Sequence, residues 1–139
     1  MEFKINSVDE LEKISNKAKW QYFERLVSFI FEQNDFDVKH NVVLISKKKK
    51  RQYDVIAIKY DKTFVVECKK WRKNNIFSLK RAIVDHKKKC NFYKRLTKQK
   101  NIIPIIVTLS EENITAYENV IIVPIMKLNW FLNNYENFY

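Results

Sequence analysis

Asp54, Glu67 and Lys69 stand inside two short apolar runs, Tyr53-Asp54-Val55-Ile56-Ala57-Ile58 and Phe64-Val65-Val66-Glu67-Cys68-Lys69. Burying a charge without a partner costs several kcal/mol, so ionisable groups in strand-like segments need a compensating role. If Asp61-Lys62 is a two-residue hairpin turn, Tyr60 faces Thr63, Asp54 lies opposite Lys69, and Ile56 lies opposite Glu67. Side chains alternate faces with period two. Asp54, Glu67 and Lys69 therefore share one face at one end of the ribbon, with Cβ atoms of opposed pairs ~5 Å apart. Val55, Ala57, Phe64, Val66 and Cys68 occupy the other face as core. A turn one residue longer would shift the pairing but keep Glu67 and Lys69 together.

Two converging carboxylates suit a hard divalent cation such as Mg²⁺, which is held by one or two carboxylates, water and substrate phosphate. Such an ion lowers the pKa of bound water and neutralises charge on a phosphate. Lys69 is placed to orient the water or stabilise the transition state. The alternative reading is a cross-strand salt bridge in which Lys69 neutralises both acids. Upstream, residues 17–33 carry a helical apolar stripe of Trp20, Phe23, Leu26, Val27, Ile30 and Phe31. Glu24 lies on its edge, either reaching toward the hairpin end or serving as an ordinary flanking charge like Glu32.

With Phe23-Glu24 on a helix, Tyr53-Asp54-Val55-Ile56-Ala57 in a hairpin and Val66-Glu67-Cys68-Lys69-Lys70-Trp71 after it, the chain resembles the PD-(D/E)xK nuclease superfamily. The resemblance is nearest to Mrr-type restriction endonuclease catalytic domains and archaeal Holliday-junction resolvases, and spans roughly residues 20–123. It implies an α/β fold with a restriction-endonuclease-like core, a mixed central sheet of about five strands flanked by helices. It also implies Mg²⁺- or Mn²⁺-dependent hydrolysis of DNA phosphodiesters. Asp54 and Glu67 then match the metal-binding acids, Lys69 the motif lysine, Glu24 the helix glutamate supporting the metal, and the Cys68 carbonyl a further ligand. Many relatives act as homodimers, which the sequence leaves open. Tyr53 stands where many members carry proline or glycine, and the chain has no glycine at all.

Charge points the same way. The chain has 27 Lys and Arg against 16 Asp and Glu, a net charge of +11, a field that attracts nucleic acid and makes binding salt-dependent. Lys47, Lys48, Lys49, Lys50 and Arg51 read as a loop entering the Asp54 strand. Lys70, Trp71, Arg72 and Lys73 leave the Glu67 strand. Lys87-Lys88-Lys89 and Lys94-Arg95 fall on the next helix. The first two blocks and Lys87 are the expected nucleic-acid contacts, with Trp71 a candidate for base stacking; a solvated face is the alternative.

The 139 residues read as one domain able to bury a core. The longest apolar run, residues 102–109, contains a proline and is too short to cross a bilayer. The N-terminus lacks the order of a signal peptide. Cys68 and Cys90 show no disulfide or zinc spacing, which suggests a reduced, cytoplasmic protein. His40 and His86 are expected at the surface or in support of the site.

Expected elements are a helix over 8–14 with Ser7 and Glu10 as a capping box, the helix over 17–33, and strands over 35–46, 52–59 and 63–69. A helix over 76–96 follows, burying Phe77, Leu79, Ile83, Cys90, Phe92 and Tyr93. A parallel central strand covers 102–109, a short helix begins at Ser110, a strand covers 120–125 and a last helix 128–135. The function this supports is a metal-dependent DNA endonuclease with weak sequence preference, compatible with branched DNA. Two other functions remain: a non-catalytic nucleic-acid-binding module that keeps the fold, and an RNA-directed nuclease.

Overall fold

The protein was analysed as a computed structural model that describes residues 20–138. The expected 8–14 helix with its capping box, and the 17–19 start of the main helix, lie outside those residues. Helix α1 (Trp20–Gln33) leads into the antiparallel strands β1 (Asp37–Ser46), β2 (Lys49–Lys59) and β3 (Lys62–Lys69). A 22-residue helix, α2 (Ile76–Thr97), connects β3 to β4 (Asn101–Thr108). Strands β5 (Thr115–Tyr117) and β6 (Val120–Pro124) and helix α3 (Ile125–Asn134) complete the chain before a short 3-10 turn. The sheet order is β1-β2-β3-β4-β6-β5. β4 runs parallel to both β3 and β6, as its unbroken apolar character requires.

Strict alternation divides the core. Val66 and Cys68 of β3, Ile105 and Val107 of β4, and Val123 of β6 pack beneath α1 and α3. Ile106, Val120 and Ile122 point oppositely, against Leu79, Ala82 and Ile83 of α2. Ile56 and Val65 meet Cys90 and Tyr93 farther along that helix. Pro104 is tolerated inside β4 because pairing with β6 begins only at Ile105, so no ladder bond is lost on that side.

Several expectations change. The expected mixed sheet flanked by helices is present and gains a sixth strand, β5, which is three residues long and turns back on β6 through Glu118 and Asn119, at φ 49° and 68°. Both are left-handed, the condition a tight hairpin imposes. No helix begins at Ser110. Its hydroxyl is buried and bonded to Thr108 Oγ1 at 2.9 Å instead. Phe77 is 80% exposed rather than buried, because it lies in the first turn of α2, where the Asn75 side chain accepts from the Phe77 and Ser78 amides. His86 is core, 1% exposed. Residues 49–51 belong to β2 rather than a loop, so only Lys47 and Lys48 turn the first hairpin.

The second hairpin turns at Tyr60-Asp61, with Lys59 opposite Lys62, one step earlier than expected. Asn101 Nδ2 donates to Asp61 Oδ2 at 2.9 Å, holding this turn against the start of β4. Without glycine, left-handed backbone falls on ordinary residues. Tyr60 adopts φ 57° while 91% exposed, a conformation that costs a bulky residue roughly 1–2 kcal/mol. Tyr60→Gly is expected to raise stability by roughly 0.5–1 kcal/mol, after subtracting the extra entropy of an unfolded glycine. A melting temperature that falls in the variant would refute the strain.

Candidate active site

The shifted turn moves the register by two residues, so the side-chain faces are unchanged but the partners differ. Continuing the ladder past its last pair, Val55 with Val66, brings Asp54 opposite Glu67 rather than Lys69. Here the strands leave regular pairing, and the Cys68 amide donates to Asp54 Oδ2 at 2.8 Å. On the other side of β2 the ladder skips Asn41, which is left-handed at φ 53°, between the His40–Val55 and Val42–Tyr53 pairs. This irregularity breaks the alternation: Tyr53 joins Ile56 and Val65 on the α2 side, although strict period two would place it with Val55. Asp54 is thereby freed from the ladder at a sheet position flanked by α1.

Three carboxyls gather there, one each from α1, β2 and β3. Burial, then a hydrogen bond and like charge shared with Asp54, push Glu24 up to about 7. Asp54 rises to about 6, chiefly by burial and by its hydrogen bond with Glu67, against the pull of the Cys68 amide. Glu24 thus holds the proton more tightly and donates to Asp54, which in turn faces Glu67. Exposed His40 lies close enough to Glu24 to oppose its shift. The Cys68 thiol, fully buried on the opposite face, is pushed well above its ordinary value by burial and then by the three acids.

Sequence spacing missed the neighbour that matters most. Lys89 Nζ of α2 lies 3.5 Å from Glu67 Oε1, the two side chains 19% and 12% exposed. The same ammonium sits 5.5 Å from the centre of the Tyr53 ring, and the Tyr53 hydroxyl donates to the Lys89 carbonyl at 2.7 Å. The buried stripe of α2 runs Leu79, Ile83, His86, Cys90, Tyr93. Lys89 falls on its edge, one turn past His86, and that periodicity was the available signal. Removing one partner of a largely buried pair strands the other charge, so Lys89→Met should destabilise the protein by roughly 1–3 kcal/mol. Thermal melts of Lys89→Met beside Glu67→Gln and the double variant give the coupling; additive losses would mean that the pair is idle.

Lys69 is half-buried, its Nζ 5.8 Å from the centre of the Trp71 ring. Trp71 packs partly against the Leu79 cluster, and its carbonyl accepts from the Leu109 amide at 2.9 Å. Lys70, Arg72 and Lys73 are exposed on the connection between β3 and α2, beside Lys69. Lys87 is half-buried on α2. The block of Lys47, Lys48, Lys49, Lys50 and Arg51 occupies the tip of the first hairpin. At about 3.3 Å per residue, Lys49 is about 17 Å along β2 from Asp54, so this block does not flank the carboxyls directly.

Among the described residues, no three His, Cys, Asp or Glu side chains form a ready-made metal cage. The donor set nevertheless fits a hard divalent ion. Mg²⁺ needs only one or two carboxylates beside water and phosphate, and the crowding that raises Glu24 and Asp54 is relieved by a cation.

A mixed six-stranded sheet between helices, with the two acids and the lysine at one end of its central hairpin, defines a restriction-endonuclease-like fold. Residues 19–124 match the nuclease-related domain, NERD. The chain belongs to this nuclease-related domain family, whose fold is that of the PD-(D/E)xK enzymes. An uncharacterized protein of Archaeoglobus fulgidus is 31% identical over 118 residues, covering 84% of this chain and 91% of the relative. The crystal structure of a protein of unknown function aligns with a TM-score of 0.44 at 20% identity, covering 65% of this chain and 47% of that one. This membership indicates nuclease activity in general and nucleic acid as the substrate class. No helix among the described residues is long and apolar enough to cross a membrane.

Proposed function

We propose that the chain is a divalent-metal-dependent DNA endonuclease. The observation that carries this reading is the meeting of Glu24, Asp54 and Glu67, from three separate elements, with Lys69 two residues beyond Glu67 at the end of β3. Asp54 and Glu67, with the Cys68 carbonyl and with Glu24 in support, would hold Mg²⁺ or Mn²⁺. When bound, such an ion activates water and neutralises charge on the scissile phosphate. The protein's own groups do the rest. The Cys68 amide fixes the Asp54 carboxylate through Oδ2. Lys69, held near the Trp71 ring, donates to a non-bridging phosphate oxygen or to the attacking water as charge develops. Lys89 balances Glu67 and so limits the repulsion among the acids before substrate arrives. Lys70, Arg72 and Lys73, next to the site, attract the backbone.

The reading extends to weak sequence preference, to branched duplexes of the kind cut by resolvases, and to a kinship with Mrr-type enzymes. It also takes in pairing of two copies to cut both strands, which sedimentation checks, and a reducing cytoplasm that suits two free buried thiols. A second reading, a binding module without catalysis, is favoured by one feature: the three acids do not form a complete metal cage. Incubation with plain duplex, branched DNA, single strands and RNA, in Mg²⁺, Mn²⁺ or EDTA, separates the possibilities. Metal-dependent DNA cleavage absent in Asp54→Ala supports the enzyme. Tight binding with no cutting in any metal supports the module, and preferential cutting of RNA would replace the substrate.

A further inference from the structure

On the α2 side of the first hairpin, between its tip and the C-terminal half of the helix, lie two adjoining cavities of about 760 and 690 Å³. They share Lys49, Phe92 and Arg95, and among the described residues no carboxylate lines either. Arg51 and Arg95 both lie over the Phe92 ring, their guanidinium carbons 6.0 and 5.8 Å from its centre. The ring is 4% exposed, with Arg51 half-buried and Arg95 exposed on its borders. Lys88, Lys94 and Lys98 complete the wall of the larger cavity. A second observation shows that the Arg51 side chain is embedded in the fold rather than free in solvent. Arg51 Nε is buried with no hydrogen-bond partner among the described residues, and a buried donor left unpaired costs about 1–3 kcal/mol.

We propose that this groove is a second subsite for phosphodiester backbone, gripping the substrate strand beside the segment being cut. The inference rests on the nuclease reading above and adds where the flanking DNA lies. Guanidinium groups suit phosphate because their N–H donors match its oxygens in pairs. Arg51 and Lys49 are three and five residues along β2 from Asp54, about 10 and 17 Å. At 3.4 Å rise, this places the gripped phosphates about three to five base pairs from the carboxyls. Lys88 faces the groove while its neighbour Lys89 faces Glu67, so one turn of α2 borders both places. A purely solubilising charge requires neither a ring bordered by two guanidinium groups nor an unpaired buried donor.

Binding of a long duplex, read by fluorescence anisotropy across a salt series in an Asp54→Asn background, tests the subsite without cleavage. The Arg51→Gln/Arg95→Gln pair should weaken binding ~10-fold or more and flatten the slope of log K against log salt by about two, at roughly 0.9 per phosphate contact. Lys62→Gln/Lys127→Gln removes the same charge away from the groove and should leave the slope nearly unchanged. Arg51→Lys/Arg95→Lys should keep most of the slope. Should the arginine variant fail to fold, Lys94→Gln/Lys98→Gln alters only exposed side chains and should show the same trend. Equal weakening by the groove and control pairs overturns the subsite, as does an unchanged slope. Cleavage by the otherwise wild-type protein with KM unaffected by the groove pair leaves the nuclease reading standing and the subsite refuted. Groove-dependent binding with no cleavage in any metal does the reverse.

Discussion

Asp54→Asn is expected to abolish Mg²⁺-dependent cleavage, by on the order of 10³-fold or more, while making the metal-free protein more stable. The two effects have one cause. Burial and neighbouring acids raise Asp54 to about 6 and Glu24 to about 7, so the folded state holds protons that the unfolded chain releases near its ordinary carboxylate values of about 4. For an acid raised on folding, the stabilising contribution is complete at low pH and is lost as pH climbs through the folded value. Wild type should therefore weaken between about pH 4 and pH 7 in EDTA. Asn keeps an oxygen to accept from the Cys68 amide but cannot ionise. It should stand on the order of 1–2 kcal/mol above wild type at pH 8, with the gap closing toward pH 4. Addition of Mg²⁺ should raise the melting temperature of wild type and leave that of Asp54→Asn where it was. A variant that still cuts, or that melts lower at pH 8 in EDTA, would remove the electrostatic basis of the site.

The second large effect comes from a residue that touches no substrate. His86 is buried against β3, with Nε2 2.9 Å from the Val65 carbonyl, and burial depresses it to about 4. The neutral ring donates from Nε2 to that carbonyl. Between pH 6.5 and 4 the unfolded chain takes up a proton that the folded protein refuses. Stability from this residue is thus intact above pH 6.5 and drains away as pH falls toward 4. A depression of this size corresponds to about 3 kcal/mol across the whole window, and about 2 kcal/mol by pH 5. The carboxyls pull in the opposite direction over much of the same range, so the raw pH curve of wild type mixes both. Gln at position 86 can donate to the same carbonyl and does not titrate. Denaturant midpoints of His86→Gln and wild type should nearly coincide at pH 7.5 and separate by about 2 kcal/mol at pH 5, the variant being the more stable. A gap that stays constant with pH would show that the ring is protonated or solvated in the folded state.

Divalent-ion experiments can also isolate Lys89. Its ammonium and a bound cation compete for Glu67, so Lys89→Met should lose stability in EDTA and recover more of it than wild type when Mg²⁺ is added. An equal Mg²⁺ shift in both proteins would mean that Glu67 is not a ligand.

Much of this protein is legible in the chain alone, and the legible part has a local cause. Period-two alternation puts Val55, Ala57, Phe64, Val66 and Cys68 on one core face, and it survived a two-residue change of register because such a shift preserves parity. The unbroken apolar run around Ile105 had to become a strand covered on both faces. The helix carrying Glu24 and the long helix after β3 follow from their apolar stripes. Tertiary structure decided what depends on contacts between distant segments or on backbone that residue type does not announce. With no glycine to mark it, left-handed Tyr60 gave no sequence sign of where the second hairpin turns, and Asn41, a residue type that tolerates that conformation, gave only a weak one of where β1 breaks its ladder. The relay from Glu24 through Asp54 to Glu67, the ion pair of Lys89, and the approach of Arg51 to the Phe92 ring each join elements far apart in sequence. Their energies come from desolvation and mutual proximity, which exist only once α1 and α2 have packed on the sheet.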